Sequence, residues 1–233
     1  MLSHVTSFLK NPALAALSST AATIRAGPVG TATDTVKEAL KRSVCAKIVM
    51  NEEELTTTST LYCQKRALTD EEGVMLVFLL GDNLARITTM WLFSNALGDG
   101  TARALARAFT QLTRESSSRP SSALKLRVLW LSNNRIGCQG VSALAESLAL
   151  QRVGGRLIEL CLGENQIGRA GCEALTALFN VDEQERPVAF PELTTLVLER
   201  NPLPPEALRM IRRAVRNVES ISCSCGRRVS LEL

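Results

Sequence analysis

The sequence contains few of the residues that enzymes use for acid–base and nucleophilic chemistry. Its one histidine is His4, so a Ser/His or Cys/His pair within the rest of the chain is excluded. A glycine-rich phosphate-binding motif is missing, and so is any zinc motif of adequate spacing. The acidic run from Asp70 to Glu72 is interpreted as a helix start, where acids complement the macrodipole. We therefore expect no enzymatic activity, no catalytic residue, no metal site, no cofactor and no small-molecule substrate.

Long apolar runs and paired cysteines are also missing. No apolar stretch approaches the roughly 20 residues of a membrane span, which predicts a soluble chain with no membrane span. The seven cysteines lack paired spacing, and this favours reduced, packed thiols in an intracellular compartment. Cys223 and Cys225 stand close together, but no second Cys or His pair lies beside them, so a capping strand is favoured over a metal site.

Positive charge is concentrated at the two ends of the chain. Residues 1–50 carry six Lys and Arg against two acids, residues 51–199 carry fourteen against eighteen, and residues 200–233 carry seven against three. A nucleic-acid binder would more often concentrate positive charge on its main surface. RNA contact through the basic termini or basic helices remains an alternative to a solvated helix face. The helix positions concerned are Arg103, Arg107, Arg209, Arg212, Arg213 and Arg216.

An eleven-residue pattern recurs along the chain. It is clearest as LRVLWLSNNRI from Leu126 to Ile136 and as LIELCLGENQI from Leu157 to Ile167. Aliphatic residues occupy places one, four, six and eleven, and Asn occupies place nine. Further copies start at Ile87 and Leu193, and a degenerate copy starts at Thr58, with Arg66 in place of Asn. The starts lie 29 to 39 residues apart, a period typical of leucine-rich repeats.

The pattern has a physical interpretation. Alternation over places four to six predicts a strand whose fourth and sixth side chains point to the core, while place five points outward. The Asn at place nine can bond backbone groups that a curving chain leaves unpaired. Aliphatic residues at helix spacing follow each copy, for example from Thr101 to Leu112 and from Pro205 to Val215.

These motifs resemble the ribonuclease-inhibitor type of leucine-rich repeat over about residues 55–217. The resemblance implies an α/β fold: a short solenoid, or horseshoe arc, of about five repeats with caps, a parallel concave sheet and convex α-helices. It also implies protein recognition through the concave face. Residues 1–33 would be an N-terminal extension, residues 34–54 a capping helix, and residues 218–233 a C-terminal cap and tail.

The two ends of the predicted solenoid need covers. Asp34 or Thr33 would cap a helix that starts near Thr35, with its apolar positions on one face sealing the first repeat; a partner-binding helix is the alternative. These positions are Val36, Leu40, Val44 and Ile48. We expect a solvated turn over Glu52 to Glu54. At the other end, Val218, Ile221 and Cys223 predict a sixth, closing strand.

Three segments are outside the repeat pattern. Met1 to Gly30 has no acid and contains Lys10 and Arg25, a composition typical of a mitochondrial presequence; an uncleaved, flexible or partner-docking tail is the alternative. The compartment thus stays open between mitochondrion and cytoplasm or cytoskeleton. Polar insertions over Glu115 to Ser122 and Val181 to Pro191 predict long surface loops.

Place five of the five strands forms the candidate binding surface. These residues are Tyr62, Trp91, Trp130, Cys161 and Val197. They include both tryptophans and the one tyrosine of a chain with only 4% aromatic residues. Phe93 at place seven adds to this row, and Glu159, Glu164 and Glu199 lie toward its C-terminal half. Such residues are exposed to solvent unless a partner, the N-terminal extension or a ligand covers them, and partner binding is favoured.

The functional expectation is a non-enzymatic protein–protein interaction module. We predict a structural subunit or assembly factor of a large intracellular complex, with partners bound through Tyr62, Trp91, Phe93, Trp130, Glu159 and Glu199. The resemblance leaves one alternative, a regulator of an enzyme such as a small GTPase or a nuclease.

Overall fold

The computed structural model describes residues 29–116, 124–149, 157–179, 192–214, 220–222 and 229–230. In chain order the helices and strands are α1 (Val29–Ile48), α2 (Glu52–Thr57), β1 (Thr60–Tyr62), α3 (Asp70–Leu80), a 3-10 helix (Gly81–Arg86), β2 (Thr89–Trp91), α4 (Asp99–Ser116), β3 (Val128–Trp130), α5 (Cys138–Ala149), β4 (Glu159–Cys161), α6 (Arg169–Ala177), β5 (Thr195–Val197), α7 (Pro205–Ala214), β6 (Ser220–Ser222) and β7 (Val229–Ser230). The chain is therefore an α/β protein, as expected from the sequence.

The strands form one sheet in the order of the sequence. The strands β1 to β6 are parallel, and β7 is antiparallel to β6. The middle residues of β1 to β5 are no more than 1% exposed, which confirms that place four points into the core. They are Leu61, Met90, Leu129, Leu160 and Leu196. Place six is also buried, at no more than 2% exposed, in Cys63, Leu92, Leu131, Leu162 and Leu198.

Helices α3 to α7 pack side by side in chain order. Their apolar faces and the inward strand residues form one core, whose largest fully buried side chain is Phe109. Adjacent helices approach closely at glycines. A Cβ added at Gly140 in α5 would lie 2.5 Å from Asp99 Oδ1 and 2.9 Å from the Cβ of Ala102, so only glycine fits there without a shift.

The place-nine asparagines join neighbouring copies of the pattern. Asn134 shows the arrangement: its amide nitrogen donates to the carbonyls of Leu131 and Leu92, each at 3.0 Å, and its side-chain oxygen accepts from the Leu97 amide at 3.0 Å. Asn95, Asn165 and Asn201 make equivalent bonds. The expected backbone-bonding role of these side chains is confirmed.

The residue before each place-nine position has a left-handed backbone. Lys65, Ser94, Asn133, Glu164 and Arg200 have φ between 54° and 56°. Side chains other than glycine, asparagine and aspartate rarely adopt this conformation. Its recurrence at one place in five copies shows that the same tight turn follows each of the strands β1 to β5.

Aspartates at helix starts cap the next helix along the chain. Asp70 lies at the start of α3, as predicted, and its carboxylate accepts from the amides of Gly98, Gly100 and Thr101 at 2.7–2.9 Å. Asp99 in α4 accepts in the same way from Gly137 at 2.7 Å and from Gly140 at 2.9 Å. These carboxylates thus satisfy amides that helix starts otherwise leave unpaired, a role that the sequence analysis missed.

The predictions of where the capping helix starts and of a turn at Glu52 to Glu54 were wrong. Helix α1 begins at Val29 rather than near Thr35, and Asp34 lies within it. Val44 and Ile48 are buried in the core, but Val36 is 40% exposed, so the predicted apolar face is buried only toward its C-terminal end.

The acidic segment from Glu52 to Glu54 starts the helix α2 and is not a turn. Asn51 caps this helix: its side-chain oxygen accepts from the Glu54 amide at 2.8 Å, and the Glu54 carboxylate accepts from the Asn51 amide at 2.8 Å. This reciprocal capping box satisfies two donors at the helix start.

Strand β6, which contains Ile221, pairs with β5 as predicted, but it does not close the sheet, because β7 pairs with its other edge. Most of both predicted loop insertions, residues 117–123 and 180–191, lies outside the described residues, as do residues 1–28 and Cys223 and Cys225. Five described cysteines are free thiols, namely Cys45, Cys63, Cys138, Cys161 and Cys172. None of the helices placed by the structure is long and apolar enough to cross a bilayer.

Candidate functional site

The sheet face that points away from the core carries the residues predicted at place five. The parallel register sets Tyr62 beside Trp91, Trp91 beside Trp130, and Trp130 beside Cys161. Tyr62 is 47% exposed, and both tryptophans are half-buried. We call this surface the open face. The structure therefore brings the predicted residues together in the predicted order.

Four rings on the open face are in mutual contact. Trp91 and Trp130 stack with centroids 4.9 Å apart and planes 9° apart, and Tyr62 meets Trp91 edge-on at 4.8 Å. Phe93 lies 5.8 Å from Trp130 and 6.4 Å from Trp91. We call these four residues the aromatic row. The stacking distance matches the spacing of about 4.8 Å between strands, so the sheet itself sets the separation of the two indoles.

The two indole N–H groups have different surroundings. Trp130 Nε1 donates to Glu159 Oε2 at 2.8 Å, across neighbouring strands. Trp91 Nε1 and Gln64 Oε1 are buried without hydrogen-bond partners in the part of the chain that the structure describes. Trp91 is thus held by ring contacts rather than by a hydrogen bond, at the energetic cost of an unpaired donor. Gln64 occupies place seven of the first copy, so it belongs to the open face and was missed by the sequence analysis.

Two carboxylates lie at the C-terminal end of the aromatic row. Burial, and then the nearby charges of Glu159 and Glu199, raise the pKa of Cys161 to about 12. The two negative charges disfavour a negatively charged thiolate at Cys161, and this adds to the effect of burial. Gly163 leaves room for Glu199, since a Cβ on Gly163 would lie 3.1 Å from Glu199 Cγ.

Charge at the outward places of β1 to β5, all of which the structure describes, has one sign. Places three, five and seven of β1 to β5 and their extensions include the acids Glu159 and Glu199 and no basic residue. The predicted acid Glu164 occupies place eight instead, where its carboxylate pairs with Arg200 at 3.0 Å. The open face is therefore an aromatic surface that is acidic at one end.

No family model and no curated protein sequence matches this chain. What the protein does is therefore inferred from the open face itself.

The other candidate residues lie away from the aromatic row. Arg103 and Arg107 are on α4, on the helix side of the sheet, and Arg103 donates to Gln139 at 3.0 Å. Arg209 and Arg213 lie on α7. Among the residues with described positions, no group of three or more His, Cys, Asp or Glu side chains is arranged to hold a metal ion.

Proposed function

We propose that the chain is a short leucine-rich repeat solenoid of the ribonuclease-inhibitor type, in which the open face is the concave surface. Support comes from the sequence order of the strands in the sheet, the helices packed on its other side, and the asparagine bonds that recur at place nine. In such a fold each repeat is stabilised by its neighbours, and the concave sheet remains available for binding.

The solenoid acts, on this proposal, as a non-enzymatic protein–protein interaction module that serves as a structural subunit or assembly factor. The aromatic row is the observation that carries the proposal. Tyr62 is 47% exposed beside half-buried Trp91 and Trp130. Tyrosine and tryptophan at the centre of protein interfaces contribute about 2 kcal/mol or more each, because they are large, rigid and partly polar.

The double substitution Trp91→Ala/Trp130→Ala tests this function. We expect the variant to remain folded, because both side chains point away from the core, and to lose the stoichiometric partners that co-purify with the parent protein. The measurement is gentle affinity purification of tagged full-length chain followed by mass spectrometry, with circular dichroism to check folding.

The matched control is Phe78→Ala, because Phe78 on α3 is as exposed as Tyr62, at 47%, but lies on the helix side. Retention of the same partners by a folded double variant would refute binding through the aromatic row. Loss of partners from the Phe78 variant alone would move the binding surface to the helices.

A further inference from the structure

The open face combines two features that attract the same kind of group. The aromatic row has an exposed ring in Tyr62, which is 47% exposed, beside the half-buried Trp91, Phe93 and Trp130, and aromatic rings attract cations within about 6 Å of their centroids. Glu159, bonded to Trp130, and Glu199, beside Gly163, add negative charge at its end, and no outward place in β1 to β5 adds positive charge. An acidic partner would be repelled by these two carboxylates and a neutral partner could only donate hydrogen bonds to them, whereas a basic partner gains from both features.

We propose, as a deepening of the protein-binding function above, that the open face binds an extended, arginine-bearing segment of its partner. Guanidinium groups would stack on the exposed ring of Tyr62, contact the half-buried rings beside it, and pair with Glu159 and Glu199. Arginine fits better than lysine because its planar cation both stacks on rings and binds carboxylates with two donors.

The geometry sets the size of this segment. Four strand spacings of about 4.8 Å separate Tyr62 from the strand before Glu199, so the surface spans about 19 Å. An extended chain covers that distance in about six residues. Arginines at alternate positions of such a segment would lie on one side of it.

The hydrogen bond from Trp130 to Glu159 connects the two parts of the site. It holds the carboxylate at the edge of the indole, at 2.8 Å from Nε1. One oxygen of Glu159 accepts this bond, which leaves the second oxygen to accept from a guanidinium. Gly163 leaves room for Glu199, because the Cβ of a larger residue would lie 3.1 Å from Glu199 Cγ and that side chain would have to shift.

Single-stranded RNA is the competing occupant, because bases also stack on aromatic side chains. Its phosphates would meet two carboxylates on the open face, whereas RNA-binding grooves track the backbone with positive charge. The basic positions Arg103 and Arg107 lie on the helix side, away from the aromatic row. The charge on the open face therefore favours a basic protein segment.

Tryptophan fluorescence of the full-length chain reports on this site alone, because Trp91 and Trp130 are the two tryptophans of the protein. The probes are eight-residue peptides that alternate serine with arginine, lysine or glutamate, together with an oligouridine. We expect the arginine peptide to change the emission at concentrations about three- to tenfold lower than the lysine peptide. The glutamate peptide and oligouridine should leave the emission unchanged.

The variant Glu159→Gln/Glu199→Gln isolates the charge. Glutamine at position 159 can still accept from Trp130, so the ring keeps its hydrogen bond while the charge is removed. Binding of the arginine peptide should weaken about five- to tenfold, since each carboxylate contributes one partly exposed ion pair. The control is Glu53→Gln/Glu71→Gln, which removes two exposed acids from α2 and α3, and it should bind like the parent.

Four results would overturn the proposal. They are equal binding of the arginine and glutamate peptides, binding of oligouridine, unchanged binding by the double glutamine variant, and no response to any peptide. A parent emission that shifts with salt or with protein concentration before any peptide is added would also overturn it. In that case the occupant is the acid-free segment before α1 or a second copy of the chain.

The proposed function can survive the failure of this inference. If partner capture depends on Trp91 and Trp130 but shows no selectivity for arginine, the protein-binding function stands and only the basic character of the partner is refuted.

Discussion

At the residue scale, the place-nine asparagines bond backbone groups of two neighbouring copies. Asn134 is 8% exposed and satisfies one amide and two carbonyls of the chain turns around it. An amide side chain suits this position because it donates and accepts at once. Asn133, the preceding residue, is exposed and has a φ of 55°. Two adjacent residues of one type therefore have unrelated roles.

Replacing Asn134 with Ala should destabilise the protein strongly. The substitution leaves the Leu97 amide and the carbonyls of Leu92 and Leu131 without their partner, so the free energy of unfolding should fall by about 2–4 kcal/mol. Urea unfolding followed by circular dichroism measures the change. The control is Asn133→Gly, which should be close to neutral because glycine adopts the positive φ without strain. A loss no larger than that of the control would contradict the prediction.

At the element scale, one buried carboxylate attaches α1 to the start of α3. Glu72 is 5% exposed, and it accepts from Ser43 at 2.6 Å, from Lys47 at 2.6 Å and from the Thr69 amide at 2.8 Å. Burial by itself would raise the pKa of Glu72, but the bonds from Lys47, Ser43 and the Thr69 amide outweigh it and hold the pKa below 4.5. The charged form of Glu72 therefore stabilises the contact between the two helices.

We expect Glu72→Gln to lower the free energy of unfolding by about 1–3 kcal/mol at pH 7, because an ionic hydrogen-bond network loses its charge. The pKa of Glu72 is depressed in the folded state, so its contribution is present above pH 4.5 and is lost as the pH falls below that value. Urea midpoints of parent and variant should therefore converge in acid. The neighbouring exposed residue gives the control, Glu71→Gln, which removes only the interaction of an exposed acid with the helix start and should cost clearly less than Glu72→Gln; an equal loss in both variants would contradict the prediction.

At the scale of the whole molecule, the core runs continuously from α1 to α7 and includes thiols. Cys63 lies fully buried below β1, and burial raises the pKa of its thiol to about 12. Cys161 on the open face has a pKa of about 12, chiefly because it is buried as well. Both side chains behave as small apolar groups, and neither is placed for nucleophilic chemistry.

Alkaline pH should destabilise the molecule through these thiols. An unfolded cysteine loses its proton near pH 9, whereas the folded thiols keep it to about pH 12. The stabilisation is complete below pH 9 and is lost as the pH rises toward 12. The free energy of unfolding should thus fall over this range, and Cys63→Ala should show a shallower fall than the parent. Parallel pH profiles of parent and variant, measured by urea unfolding, would exclude the contribution of Cys63.

The sequence by itself determined the strands, their inward residues and the composition of the aromatic row. Leu129 and Trp130 can be assigned to opposite faces of β3 because alternation along a strand is a local property. The repeated spacing then predicted which residues are neighbours across strands. Trp91 could be placed beside Trp130, although 39 residues separate them.

Only the tertiary structure decided the polar contacts between residues that lie far apart in the sequence. The bonds from Ser43 and Lys47 to Glu72, from Gly98 to Asp70, and from Trp130 to Glu159 each join residues 25 to 29 positions apart. No local pattern marks such pairs, because they depend on how closely two packed elements approach. The start of α1 at Val29 escaped prediction for a related reason: Thr33 and Asp34 favour a helix cap locally, but they are also tolerated inside a helix. The repeating strands, helices and turns could therefore be predicted from the sequence. The polar contacts that fix the ends of the repeat array and shape the open face could be identified only in the folded structure.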